Sequence, residues 1–225
     1  KNEIRQVPEE IGQLTKLKKL IIWGNDLRDL PNSLWQLTDL STLSLDANQL
    51  QQISSNIKHL KNLKVLYLNN NKLQRLPPEI WQLTNLTELY LYENQLTSLP
   101  PEIGQLTNLT SLILENNELT SLPPEIGQLT NLNTLYLRGN LITTLPSEIG
   151  QLVNLAELNM RNTLIPPEEY KKVKKLLPKC DIEYDSTSLN LRGISSLPPE
   201  IGQLTNLTTL DLNGNPQLEF KDICI

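Results

Sequence analysis

Asparagine recurs at positions 2, 25, 48, 71, 94, 117 and 140, every 23 residues without a slip. Leucines move with it: around Asn71 the chain reads Leu63, Leu66, Leu68, Asn71, Leu73, Leu76, Pro77, Ile80 and Leu83, and it restarts at Leu86. The same frame fits Leu40, Leu43, Leu45, Asn48, Leu50 and Leu109, Leu112, Leu114, Asn117, Leu119. One unit repeated in seven registers constrains the fold strongly. A single copy exposes apolar residues on both sides and cannot fold alone, whereas stacked copies bury them.

The letters of the unit have physical meanings. Leu66 and Leu68 are two apart, so they share one face of a strand while Tyr67 points the other way. The chain must then turn inward. An asparagine there is expected to hydrogen-bond the backbone of its own turn and of the next coil, satisfying polar groups that stacking buries. Pro77–Pro78 begins the return path, and Pro78 to Leu83 reads as a short helical piece, since proline suits a first helical turn. At ~4.8 Å between neighbouring strands, about nine coils would make a parallel sheet roughly 40 Å long.

Composition agrees with a core of this kind. Only 4% of the 225 residues are aromatic and there is one Met, so the apolar supply is Leu with Ile and a little Val. A net charge of −5 argues against nucleic acid or an anionic membrane as the main partner. Two cysteines, Cys180 and Cys224, give neither a disulfide framework nor metal-ligand spacing. No apolar run approaches the ~18 residues of a membrane span. The sequence opens on Lys1 inside a repeat with no visible signal peptide; a cytoplasmic location is favoured, with export left open.

The segment Leu99–Pro100–Pro101–Glu102–Ile103–Gly104–Gln105–Leu106–Thr107–Asn108–Leu109 resembles the 23-residue Ras-group class of leucine-rich repeats. Similar repeats occur in bacterial repeat proteins, in plant intracellular Ras-group proteins and in the repeat regions of Roco GTPases. The resemblance covers residues 1 to about 165, and about 188 to 215 again. It implies an α/β solenoid: a right-handed horseshoe with a parallel β-sheet on the concave face and short helical or 3-10 segments on the convex face. It also implies a habit of protein binding, though no particular ligand.

The period breaks after residue 160, where Thr163 takes the asparagine position and Pro166–Pro167 follow. Glu168 to Leu177 sets Tyr170, Val173, Leu176 and Leu177 on one face, an amphipathic helix closed by Pro178. Residues 180–184 alternate like a short strand. Helix and strand together resemble the C-terminal caps of bacterial leucine-rich-repeat proteins. Leu189 and Leu191, then Leu207, Leu210, Leu212 and Asn215, resume the repeat. Cys180/Ile182 and Leu189/Leu191 are equivalent positions nine residues apart, too close for one parallel crossover. Either 180–184 is an irregular or antiparallel cap strand, or a second array begins. The favoured division is a repeat array at 1–165, a cap-like helix and strand at 166–185, and further partial repeats at 186–225 as a second, truncated array packed on the first or on another chain. An uncapped edge near Leu20 and Ile22 predicts self-association through the ends.

Function is expected where copies differ. The outward strand position holds Ile21, Ser44, Tyr67, Tyr90, Ile113, Tyr136 and Asn159. Two residues on come Trp23, Asp46, Asn69, Tyr92, Glu115, Arg138 and Arg161. Four of the six tyrosines thus fall on the predicted concave surface. Tyrosine offers a large contact area at low entropy cost, although bulky residues also suit strand surfaces for stability alone. The partner-binding set is Trp23, Tyr67, Tyr90, Tyr92, Glu115, Tyr136, Arg138 and Arg161, suited to a protein with basic and apolar features. Trp35 and Trp81, at a convex position that is Gly104 or Gly127 elsewhere, either cover the helical side or mark a second contact surface. Lys171, Lys172, Lys174 and Lys175 read as a solvated helix face.

Catalytic constellations do not assemble. His59 is the only histidine and reads as an exposed substituent. Cys180 reads as a packing residue. No glycine-rich phosphate loop exists, and no cofactor or metal is expected. Asn85, Asn108 and Asn206 begin Asn-x-Thr matches that come with the repeat and are not read as glycosylation sites. The leading expectation is a non-catalytic protein–protein interaction module. The alternatives are a regulatory repeat region of a larger signalling protein such as a Roco GTPase, and a structural or adhesion spacer.

Overall fold

The computed structural model describes residues 3–192, 194, 196–216 and 218. Asn2 and Cys224 lie outside the described residues. Each repeat contributes one three-residue strand: β1 Lys19–Ile21, β2 Thr42–Ser44, β3 Val65–Tyr67, β4 Glu88–Tyr90, β5 Ser111–Ile113, β6 Thr134–Tyr136 and β7 Glu157–Asn159. All pair in parallel, each with the next in sequence, and β8 (Asp181–Glu183) continues the sheet beyond β7. The register joins equivalent residues, as Leu43, Leu66, Leu89, Leu112 and Leu135 form one row. Eight strands, rather than nine, make this sheet, about 34 Å of it at the ordinary strand spacing.

The return paths are 3-10 segments, from Asn32–Gln36 through Ser147–Gln151. Most follow a proline in extended backbone, such as Pro77 and Pro100, whose ring cannot donate a hydrogen bond and is not asked to. Where a coil lacks that proline, Ser54 accepts from the Asn56 amide at 3.2 Å and caps the turn instead. Between the strands and these turns runs one core of leucine and isoleucine, including Leu66, Leu68, Leu89, Leu91 and Leu112 at 0% exposure.

The asparagine ladder binds coils together in a direction opposite to the expectation. Asn94 Oδ1 accepts from the Leu73 amide at 3.0 Å, and its Nδ2 donates to Leu68 O and Leu91 O, each at 3.0 Å. Leu73 and Leu68 belong to the preceding coil, not the next one. The same pattern holds at Asn48, Asn71, Asn117 and Asn140. Buried backbone groups that turning leaves without sheet partners are thereby satisfied. A second, outer ladder comes from the Asn-Leu pair that opens each strand segment: Asn85, Asn108, Asn131 and Asn154 each donate to a carbonyl of the coil before.

After β7 the helix α1 (Pro167–Leu176) buries Val173, and Tyr170 stacks on Tyr184 with ring centroids 4.4 Å apart. Lys171 and Lys172 pair with Glu168 and Glu169 one turn back, leaving the lysines largely in solvent. The strand β8 is regular and parallel, so the irregular or antiparallel alternative does not describe it. Strands β9 (Ser188–Asn190) and β10 (Thr209–Asp211) form a separate parallel pair. This terminal unit has its own small core, in which Leu189, Leu191, Ile194 and Leu204 meet Leu141 and Leu164 of the main array.

Candidate binding surface

The outward strand residues form a continuous row: Ile21, Ser44, Tyr67, Tyr90, Ile113, Tyr136, Asn159 and Glu183 are successive register partners. In a parallel, unslipped sheet equivalent side chains stand side by side, so variation between copies is displayed as a surface. Tyr67 and Tyr90 use this: their rings stack with centroids 4.5 Å apart and planes 15° from parallel, a favourable offset arrangement. The Tyr90 hydroxyl donates to Glu88 at 2.8 Å, and the Tyr136 hydroxyl donates to Glu157 at 2.5 Å. Ile113, between these tyrosines, is only 7% exposed although it points outward.

Electrostatics make the row acidic. Burial and the hydrogen bond to Glu88 raise the Tyr90 phenol well above its ordinary value. Tyr136 is pushed up to about 12, first by its bond to Glu157 and then by burial. Burial, with Glu88 near Tyr67 and Asp46 near Tyr92, raises those two phenols as well. Burial also raises the Glu115 carboxyl, with Arg138 opposing. Further along, Arg161 lies 3.5 Å from Glu183, and the Asn159 amide donates to the same carboxylate at 3.0 Å.

Seven of the eight residues singled out from sequence therefore fall into three groups, with Arg138 between two sites. Tyr67, Tyr90 and Tyr92 gather at the middle of the sheet with Glu115 beside them. Tyr136 and Arg161 are engaged with Glu157 and Glu183 near the cap. Trp23 stands apart at the β1 end, 60% exposed beside Ile21. Arg138 reaches both ways, acting on Glu115 and lining a crevice toward the terminal unit.

Trp35 and Trp81 are not a second contact surface. They are 2% and 1% exposed and belong to the main core. His59 is exposed. Cys180 is buried, which pushes its thiol up to about 11. Among the described residues no group of three or more His, Cys, Asp or Glu could hold a metal ion, and no helix is long and apolar enough to cross a membrane.

Two functional features escaped the sequence reading. One is the anchoring of tyrosine hydroxyls by carboxylates, Tyr90 by Glu88 and Tyr136 by Glu157. The other is the seat of the terminal unit. The position after the ladder residue is polar in Asp26, Gln49, Lys72, Gln95 and Glu118, then becomes Leu141 and Leu164. That switch was a visible signal, because two apolar residues on an otherwise polar flank need a cover.

These features define a parallel-β solenoid that presents a shaped, polar-aromatic surface on an open sheet. The leucine-rich repeat region profile matches residues 101–189, and that of paired leucine-rich repeats matches residues 61–103. A leucine-rich-repeat protein of Leptospira interrogans is 42% identical, with a TM-score of 0.67, over 81% of this chain and 52% of its own. The plant peptide hormone receptor RGFR1, solved in complex with RGF2, is 32% identical with a TM-score of 0.67, over 93% of this chain and 34% of its own. An internalin, inlF, of Listeria monocytogenes shares the fold at 21% identity and a TM-score of 0.65, over 93% of this chain and 70% of its own. Comparison with curated proteins returns no match. The chain is a leucine-rich-repeat protein similar to bacterial members of that family. It spans about half the length of the Leptospira protein and about a third of the plant receptor. The fold is typically non-catalytic and commonly serves protein–protein interaction.

Proposed function

We propose that this chain is a non-catalytic protein-binding module whose partner lies across the concave sheet and brings basic and apolar groups to it. The observation that carries this reading is the Tyr67–Tyr90 stack, flanked by Tyr92 and by Asp46, Glu88, Glu93 and Glu115. Stacked phenols supply apolar area and ring faces that attract cations. Of these four carboxylates none is in an ion pair with a described residue. A lysine or arginine side chain would gain both contacts at once. Tyr136, Arg138 and Arg161 would form the rim toward the cap, and Trp23 a separate anchor at the other end. The solved complex of the related plant receptor RGFR1 with RGF2 accords with this reading.

The test is a quantitative pull-down with the wild-type chain and a Tyr67/Tyr90/Tyr92/Tyr136→Ser variant, after circular dichroism shows that both fold. The reading expects a protein retained by the wild type alone and released as salt screens the carboxylates. Equal retention by both chains would remove the tyrosine surface as the site.

A further inference from the structure

We propose that the crevice between the turn edge of the main array and the terminal two-strand unit binds a small polyhydroxy monocarboxylate, of the sugar-acid type. The crevice holds about 400 Å³, and Glu93, Gln95, Asn116, Arg138, Asn162 and Arg192 are among its lining residues. Both units build it. Arg138, Asn116 and Asn162 come from the array; Arg192 and its neighbour Asn190 come from the terminal unit. They are held together by the Asn190 amide donating to Asn162 Oδ1 at 3.1 Å and by the seating of Leu189 and Leu191 on Leu141 and Leu164.

One repeat position bears on the Asn116 wall of the crevice. Asn70, Glu93, Asn116 and Asn162 carry side chains on left-handed backbone just before the ladder residue, while position 139 is glycine with φ of 68°. A Cβ at Gly139 would stand 2.3 Å from Asn116 Oδ1, so no larger residue fits there without displacing that wall.

Charge then selects the ligand. Among the described residues no carboxylate lies within ion-pair distance of Arg138 or Arg192. The Arg192 Nε donates to Asn190 Oδ1 at 3.2 Å, and its two terminal nitrogens are without a hydrogen-bond partner among the described residues. Within the lining itself two guanidinium groups face one carboxylate, Glu93, a surplus of one positive charge, with Glu115 acting on Arg138 from outside the crevice. A guanidinium fork matches a carboxylate in two hydrogen bonds. A monoanion balances the surplus, whereas a dianionic phosphate would also meet Glu93. The remaining wall is rich in carboxamides, which suits hydroxyl groups and offers little to an apolar molecule.

Sodium gluconate is the probe, titrated at constant ionic strength into ¹⁵N-labelled protein, with sorbitol and inorganic phosphate as comparators. The expected result is saturable movement of the Gly139 and Asn190 amide signals with gluconate, none with sorbitol and a weaker response with phosphate. Arg138→Gln and Arg192→Gln should each weaken gluconate binding about tenfold, the loss of charged hydrogen bonds, while the Tyr67→Ser/Tyr90→Ser double variant keeps it. Unmoved Gly139 and Asn190 signals, an equal response to sorbitol or phosphate, or undiminished binding in the Arg138→Gln/Arg192→Gln double variant would each overturn the assignment. Glu93 and Arg138 border both surfaces, so the Tyr67→Ser/Tyr90→Ser double variant, which removes the concave-face stack and leaves the crevice residues in place, separates the two readings.

Discussion

At the scale of single residues the fold depends on side chains that complete the backbone of the coil before them. Asn94 serves one amide and two carbonyls in a site where it is only 7% exposed. Asn94→Ala strands those groups away from water, and a loss of about 2–4 kcal/mol is expected; urea unfolding of the two chains measures it. The tryptophans give a sharper contrast. Counting copies suggests that Trp81→Gly merely restores the commoner residue, since Gly104 and Gly127 occupy that place elsewhere. Packing argues otherwise. The coils around those glycines close to contact, with a hypothetical Cβ at Gly104 only 2.4 Å from Gln128 Oε1, whereas Trp81 fills its own space at 1% exposure. Trp81→Gly should therefore cost about 3–5 kcal/mol, the ordinary penalty for an emptied aromatic site. A loss below about 1 kcal/mol would mean that the coils collapse to the glycine spacing.

At the scale of elements the strands were legible because period two and period 23 coincide at Leu66, Leu68 and their equivalents, which leaves one register available. The candidate surface was legible for the same reason, as alternation alone places Tyr67 and Tyr90 outward. Their stacking, and the carboxylates on Tyr90 and Tyr136, depend on rotamers that a pattern does not contain. These contacts have a consequence in alkali. Unfolded tyrosine ionises near 10, while Tyr136 in the folded chain is pushed up to about 12, and Tyr67, Tyr90 and Tyr92 are also raised. Between the two values the folded chain binds more protons, so stability is intact below about 10 and falls as pH climbs toward 12. Phenolate absorbance should lag behind that of a denatured control until the chain unfolds, and Tyr136→Phe should reduce the fall. In the cap, Cys180 is buried at 3% exposure with its thiol near 11. In a Cys224→Ser chain at pH 8, a thiol reagent should label it only as the cap opens, so that rapid labelling would show a cap loose on the array.

At the scale of the molecule, two sheets are joined through a flank rather than end to end. The nine-residue step from Ile182 to Leu191 announced a discontinuity, because a parallel crossover needs more chain. Where the second sheet sits could not follow from spacing, since its seat is made by Leu141 and Leu164, which are distant in sequence and stand outside the repeat's own leucine frame. The seat makes a prediction about cooperativity. Leu164 of the main array is 0% exposed, and among the described residues of the terminal unit the buried hydrophobics are Leu189, Leu191, Ile194 and Leu204. A two-strand unit with so small a core does not hold by itself. Leu164→Asp places a carboxylate where it has no partner, and undocking lets water reach it at less cost than burial. The main array keeps its own leucine core and its asparagine ladder. Urea should therefore give two transitions in place of one, an early one for the terminal unit and a late one near the wild-type midpoint, and proteases should cut first near residues 185–188. A single transition shifted as a whole would mean that the seat is part of one cooperative core, and that the terminal unit stabilises the array as much as the array stabilises it.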